Sequence, residues 1–171
     1  MQLIRNTMKP LDVILRKPIS QDGPSVHHLI NQIPELDSNS IYSNLLQCSH
    51  FSDTSIIAVE QGETVGFISG YVKPGSSETL FVWQVAVCER ARGMGIASRM
   101  LKQLVERQGI VYITHVEATI TQCNTASWAL FNRFSKQFAA PIVSSVLFDS
   151  STHFNSEYNS EWLARIGPLI R

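Results

Sequence analysis

Residues 79–97 read TLFVWQVAVCERARGMGIA, an apolar strand that runs directly into an Arg- and Gly-rich turn and then into the start of a helix. Thr79 to Val87 is apolar nearly throughout, which predicts a central strand buried on both faces. Gly93 and Gly95 remove side chains where backbone must approach a ligand. A helix beginning near Ile96 aims unpaired N–H groups and its positive dipole end at an anion, and Arg90 and Arg92 add formal charge there. The stretch therefore reads as a cradle for a diphosphate. No Gly-Lys-Ser/Thr follows, so it is not a P-loop. Ser98 stands where a dinucleotide-binding turn needs a third Gly or Ala, and the turn falls mid-chain instead of opening a βαβ unit.

Around this stretch lie 171 residues, 44% of them hydrophobic, enough for one core and too few for two comfortable domains, so residues 1–171 are expected to form a single domain. The formal net charge is zero, which argues against nucleic acid or a membrane surface as partner and for a small molecule. Cys48, Cys88 and Cys123 are odd in number and widely spaced, so neither a disulfide framework nor a zinc site is expected, and the chain reads as cytoplasmic. Arg5, Lys9, Pro10, Asp12, Arg16 and Lys17 break up the N-terminal apolar residues and leave no signal-peptide core.

Val13 to Arg16 is a strand candidate. Pro24 suits the first turn of a helix carrying Val26, Leu29, Ile30 and Ile33, which Pro34 ends. Asp37 to Gln47 reads as a second helix with Ser40 a candidate N-cap. Ser55–Glu60 and Thr64–Tyr71 form a hairpin around Gln61, Gly62 and Glu63. After Thr79–Val87 come a helix over Met94–Gln108, a strand over Tyr112–Thr119, a helix over Asn124–Phe138, and strands at Ile142–Phe148 and Trp162–Ile166. The serine-rich stretch from Ser144 to Ser160 reads as loops between strands. The order is βααβββαβαββ, a mixed α/β chain by periodicity alone.

Arg90, Gly93 and Gly95 after a strand resemble the coenzyme A motif Q/R-x-x-G-x-G/A of the GCN5-related N-acetyltransferases. Asn124-Thr125-Ala126-Ser127-Trp128-Ala129-Leu130-Phe131 resembles that superfamily's helix start N-x-x-A-x-x-L-Y/F. The resemblance implies an acetyltransferase fold, a central, mostly antiparallel sheet with flanking helices, and acetyl-CoA as cosubstrate. It places the diphosphate over Arg92, Gly93, Met94, Gly95, Ile96, Ala97 and Ser98. The backbone of Val85, Ala86 and Val87 is implied to pair with pantetheine amides, one N–H there polarising the acetyl carbonyl. Asn124 and Ser127 are implied near the pantetheine arm, although Asn124 is equally a plain helix cap. Phe131 is implied near the thioester sulfur, where many relatives carry a Tyr whose hydroxyl protonates the departing thiolate. With a thiol pKa of about 8.5, that thiolate is a tolerable leaving group without the acid.

Four segments resemble more narrowly the acetyltransferases that act on L-2,4-diaminobutyrate: LDSNSIYSNLLQCSHF at 36–51, TLFVWQVAV at 79–87, TITQCNTASWALF at 119–131 and THF at 152–154. The resemblance implies acetylation of the γ-amine to Nγ-acetyl-diaminobutyrate, an ectoine precursor, by a homodimer. The chemistry sets requirements of its own. An alkylammonium with pKa near 10.4 needs roughly 4.6 kcal/mol to free its lone pair at pH 7, less beside a second ammonium. A site for this zwitterion needs a carboxylate for the α-ammonium, a donor for the carboxylate, and a proton acceptor at the γ-nitrogen.

Asp37 is a candidate for the ammonium, or a helix N-terminal charge. Tyr42 is a candidate hydrogen-bonding group or a surface Tyr, and Trp83 a pocket wall or a core aromatic. Thr152 and His153 join them through the THF segment. Glu161, opening the last strand, is the candidate base, with His153 the alternative; Glu157 reads as a solvated loop charge. His27, His28, His50 and His115 show no ligand spacing, so no metal is expected. Cys88 and Cys123 flank the cofactor elements, as acyl carriers or as small core thiols. A ternary complex with direct attack by the neutral amine needs no covalent enzyme intermediate. Two other readings stay open: an acetyltransferase for a polyamine, an aminoglycoside or another primary amine, and an acetyl-CoA-binding module without chemistry.

Overall fold

The computed structural model describes residues 12–110 and 112–170; Arg5, Lys9 and Pro10 lie outside the described residues. Seven strands form one sheet: β1 (Val13–Arg16), β2 (Ile56–Glu60), β3 (Glu63–Val72), β4 (Thr79–Val87), β5 (His115–Thr121), β6 (Ile142–Phe148) and β7 (Glu161–Ile166). Their spatial order is β1-β2-β3-β4-β5-β7-β6, and every neighbouring pair is antiparallel except β4 with β5. This is the mixed, mostly antiparallel sheet with flanking helices that the sequence predicts.

Five helices accompany it: α1 (Gly23–Asn31), α2 (Ile41–Ser49), α3 (Ile96–Val105), α4 (Thr125–Gln137) and the single turn α5 (Ser150–His153). Leu101 and Leu104 of α3 and Phe134 of α4 cover one face of the sheet, meeting Ile68, Leu80, Val116 and Ile120. Val26 and Ile30 of α1 and Cys48 of α2 cover the other, over Ile57, Phe67 and Ala86. Strand alternation sends successive residues of β2 to opposite cores, Ile56 and Ala58 to the first and Ile57 to the second.

Several expectations change in the structure. β4 is not buried on both faces: Trp83 is 52% exposed, because α1 and α2 stop short of the half of the sheet that holds β5, β7 and β6. The second helix starts at Ile41, where the Ser40 hydroxyl accepts the Ser43 N–H at 3.1 Å, so Asp37 lies outside it and is no helix-terminal charge. α3 waits for Gly95 and ends at Val105, so Met94 belongs to the turn. β5 begins at His115, three residues later than expected, and the serine-rich stretch contains α5, capped by Asp149.

Candidate active site

β4 and β5 run parallel as paired strands only from Thr79–Val82 against His115–Ala118, and then separate. On its other side β4 stays paired with β3 up to Val87, so Val85 to Val87 keep one edge without a strand partner. The gap opens into a cleft of about 660 Å³ whose walls include Val85 and Val87, the turn after β4, and the first turns of α4. Ala86 points the other way, into the core beneath α1.

Gly93 and Gly95 hold φ of +77° and +74°, and a Cβ at either would meet no atom within 4 Å. Conformation, not crowding, demands glycine at both, and the open space beside them belongs to the cleft. Gly95 precedes α3 without any side-chain cap, so the N–H groups of Ile96, Ala97 and Ser98, all three residues on the cleft wall, are left for a ligand. Arg92 lines the cleft too, its Nε donating to the Val87 carbonyl at 3.3 Å and its guanidinium 3.5 Å from Glu35. Arg90 does not add its charge to the cradle: the one-turn 3-10 helix at Glu89–Ala91 turns it toward β2, where it pairs with Glu60.

On the opposite wall Asn124 and Ser127 meet, the Asn124 Oδ1 accepting the Ser127 N–H at 3.0 Å, so Asn124 is a helix cap that also lines the cleft. Met94 packs its side chain against the core from within the turn. Phe131 is 2% exposed in the core beneath α4 and lies outside the cleft lining.

Among the amine-side candidates, Asp37 acts on the charge of Glu161 and His153 is linked to it through Phe148, whereas no hydrogen bond or ring contact among the described residues ties Trp83 or Tyr42 to it. Burial pushes the Glu161 carboxyl above the usual range, the negative charge of Asp37 raises it further, and a hydrogen bond with Thr119 pulls the other way. Glu161 pairs with Thr121 on β5 and with Phe148 on β6. The Phe148 ring in turn packs edge-on against His153, centroids 5.5 Å apart. His153 Nδ1 accepts the Asp149 N–H at 3.0 Å, which places the proton of the neutral ring on Nε2 and occupies its accepting lone pair. Thr152 is committed as well, its N–H and hydroxyl both donating to Asp149 at 3.1 Å. Hydrogen bonds from Ser151 and Thr152 hold the Asp149 carboxyl down at about 2. Trp83 stands edge-on to Tyr71 at 6.3 Å. Tyr42 is 68% exposed on α2, and no hydrogen bond or ring contact among the described residues ties it to the others.

The site thus combines a phosphate-ready turn, a strand edge left open by diverging parallel strands, and a carboxylate at the start of β7. Residues 24–135 fit the description "Acetyltransferase (GNAT) family". The chain belongs to that family. The acetyltransferase is 48% identical over 157 residues to the L-2,4-diaminobutyric acid acetyltransferase of Methylotuvimicrobium alcaliphilum, covering 92% of this chain and 91% of that one. To the protein of the same name from Vibrio parahaemolyticus it is 46% identical over 153 residues, 90% of this chain and 84% of that one. Among solved structures, diaminobutyrate acetyltransferase EctA from Paenibacillus lautus, in complex with L-2,4-diaminobutyric acid and coenzyme A, superposes with a TM-score of 0.89 at 35% identity over 94% of this chain and 98% of that one. The ribosomal-protein-S18-alanine N-acetyltransferase of Escherichia coli shares the fold, with a TM-score of 0.70 at 10% identity over 93% and 96% of the two chains.

Sequence reasoning passed over several residues at the cleft and in the sheet of the acetyltransferase. Ala126, Ala129, Leu130 and Arg133 line the cleft, a stripe at helical spacing that the α4 sequence displays once one cleft residue of that helix is known. Arg133 has no ion-pair partner among the described residues. Glu117, 1% exposed, accepts from Lys73 Nζ at 2.7 Å and from Arg165. No local pattern announces that cluster, because its three members come from separate strands or their ends.

Proposed function

We propose that the acetyltransferase moves the acetyl group of acetyl-CoA to the γ-amine of L-2,4-diaminobutyrate, giving Nγ-acetyl-diaminobutyrate for ectoine synthesis. The observation that carries this reading is that Asp37 and Glu161 each adjoin a residue of the cofactor cleft, Leu36 in the chain and Thr121 across the sheet, which sets two carboxylates beside the cleft for a substrate with two ammonium groups. Relatives so named that align along more than four-fifths of their own length support it.

In this reading the turn from Arg92 to Ser98 takes the diphosphate on backbone N–H groups, with Arg92 supplying charge. The open edge of Val85, Ala86 and Val87 receives the pantetheine amides, Asn124 and Ser127 flank that arm, and Phe131 supports it from the core. Asp37 holds the α-ammonium, and Trp83, Tyr42 and Thr152 bound the amine. Glu161, its proton affinity raised by burial and by Asp37, accepts the γ-ammonium proton. The freed nitrogen then attacks the acetyl carbon, the C–S bond breaks, and the second proton shed by the nitrogen passes through water to the departing thiolate. His153, its Nδ1 already engaged, orients the segment around Glu161 instead of taking the proton.

We extend the reading to the whole chain as one domain, acting in the cytoplasm as a homodimer. The three cysteines are free, which suits a reducing compartment. Edge strand β6 exposes Val143, Val146, Leu147 and Phe148, an apolar surface suited to a second copy. Light scattering that finds only monomer overturns the dimer.

Purified protein incubated with acetyl-CoA and a panel of amines, with free thiol followed, tests the activity. Release with L-2,4-diaminobutyrate and little with spermidine or an aminoglycoside is expected. The reverse order refutes the substrate, and no release with any amine leaves a binding module.

A further inference from the structure

Asp37 belongs to a segment, residues 36–40, that forms neither helix nor strand. Two side-chain amides hold it to the sheet. Asn39 Nδ2 donates to Gln84 Oε1 at 2.8 Å, and Gln84 Nε2 donates to the Asp37 carbonyl at 3.1 Å. Both ends of one glutamine amide are thus spent on two residues of one loop. Gln84 reaches them because of a bulge. Ser69 of β3 pairs with Gln84 and Gly70 with Val82, so Trp83 is an extra residue on β4. The shift is visible in the packing: Val82 lies against the α3 and α4 core, and so do Val85 and Val87, while Ala86 lies on the side of α1 and α2. Gln84 falls on the latter side, from which the Asp37 loop approaches.

We propose that Gln84 is a positioning residue for the amine site: through its paired hydrogen bonds with Asn39 and the Asp37 carbonyl it sets where the Asp37 carboxylate stands. The inference rests on the assignment of Asp37 to the substrate ammonium. An amide suits the task because the loop offers one donor and one acceptor two residues apart. A carboxylate in its place would keep the Asn39 bond, lose the donor to the carbonyl, and set a second negative charge beside Asp37. An apolar side chain of the same length would leave the loop tethered only by its chain ends. The diphosphate turn makes no hydrogen bond with this pair, and Gln84, Asn39 and Asp37 are not among the residues that line the cofactor cleft, although Leu36 beside them is, so KM for acetyl-CoA should move much less than KM for the amine.

Steady-state kinetics of Gln84→Met, Asp37→Asn and their double variant test this, with thermal melting as a control. For Gln84→Met the expected result is a rise of about tenfold in KM for diaminobutyrate, the scale of one lost hydrogen bond to a charged ligand's site. KM for acetyl-CoA should stay within about twofold and the melting temperature within about 2 °C, the small change expected for a half-exposed polar side chain. Because Gln84 acts through Asp37, the double variant should have the KM of Asp37→Asn alone. Asn39→Ala should move KM for diaminobutyrate in the same direction by less. If Asp37→Asn raises that KM and Gln84→Met leaves it unchanged, the clamp is refuted and the substrate reading stands. Multiplicative effects in the double variant, or a parallel rise in both KM values with a large drop in melting temperature, also refute it. An unchanged KM in Asp37→Asn removes the substrate reading itself, and the clamp with it.

Discussion

Gly95 offers a perturbation whose cost to the fold and cost to the ligand can be separated. At φ +74° an alanine pays the left-handed penalty of about 1–2 kcal/mol, and nothing else, because its Cβ meets no atom within 4 Å. Restricting the unfolded chain returns about 0.4–1 kcal/mol. The net loss for Gly95→Ala is then at most about 1.6 kcal/mol, a drop of up to about 6 °C in melting temperature for a chain of this length. The methyl also enters the open space of the cleft beside the first turn of α3, so KM for acetyl-CoA should rise about tenfold or more while KM for the amine holds. Gly95→Asn separates the two effects: Asn tolerates the left-handed region, so most of the stability returns, yet the larger side chain still blocks the cleft. Gly66→Ala is the converse control. Its Cβ would sit 2.8 Å from Met100 Cε and 3.2 Å from Ala58 Cβ, inside the core, so it should lower stability without touching KM for acetyl-CoA. Calorimetry and steady-state assays on the three variants suffice. An unchanged KM for acetyl-CoA in both Gly95 variants, or an equal rise in Gly66→Ala, would refute the placement of the cofactor at this turn.

Three further outcomes are expected. Asp37→Asn removes a like charge that raises Glu161, so the acidic limb of kcat/KM, where the base becomes protonated, should move to lower pH; a limb that stays in place argues against Glu161 as proton acceptor. Burial pushes Glu117 up, but hydrogen bonds from Lys73 and Arg165 outweigh it and hold the carboxyl below its usual range. Its stabilisation is complete above the unfolded value of about 4.3 and is lost as pH falls through the folded value, so Glu117→Gln should cost about 1–3 kcal/mol at pH 7 and show a shallower loss of melting temperature on acidification. An acid profile parallel to wild type would overturn that account. Cys88→Ala with Cys123→Ala should keep turnover within about twofold and accumulate no acyl-enzyme by mass spectrometry, because direct attack needs no thiol; loss of activity would reopen an acyl-cysteine route.

What the sequence made legible was local. The apolar run of β4, the helical spacing in α3 and α4, and the glycines at 93 and 95 each state their conformation within a few residues, and the strands and α-helices follow the expected order with one added α-helical turn at Ser150–His153. What escaped was set by partners distant in the chain. Arg90 and Arg92 look alike in the turn, and only the 3-10 turn at Glu89–Ala91 sends one to Glu60 and leaves the other at the cleft. Phe131 fits its motif, yet which side of α4 meets the core decides that its ring is buried. Asp37 reads in the sequence as an ammonium partner or as the first charge of a helix over Asp37–Gln47, and the helix start at Ile41, behind the expected Ser40 cap, leaves it in the loop. The carboxylates at 117 and 161 are set apart by neighbours distant in the chain: two cations pair with the first, while the charge of Asp37 and the hydroxyl of Thr119 act on the second.

The bulge at Trp83 shows how one strand serves both halves of the chemistry. Side chains along a strand alternate with a period of two, so a regular β4 with Leu80 and Val82 facing the α3 and α4 core would send residues 84 and 86 there as well. The extra residue reverses the alternation: Val85 and Val87 face the cleft, Ala86 the opposite core, and Gln84 the loop that carries Asp37. Separation of β4 from β5 begins immediately before that residue, after Val82. A single irregularity thereby accompanies the opening of the strand edge and aims Gln84 at the amine side, coupling the two sites through backbone geometry. It follows that a residue inserted or deleted between Val82 and Val85 should damage both KM values together, whereas the side-chain substitutions at Gln84 and Gly95 each affect one.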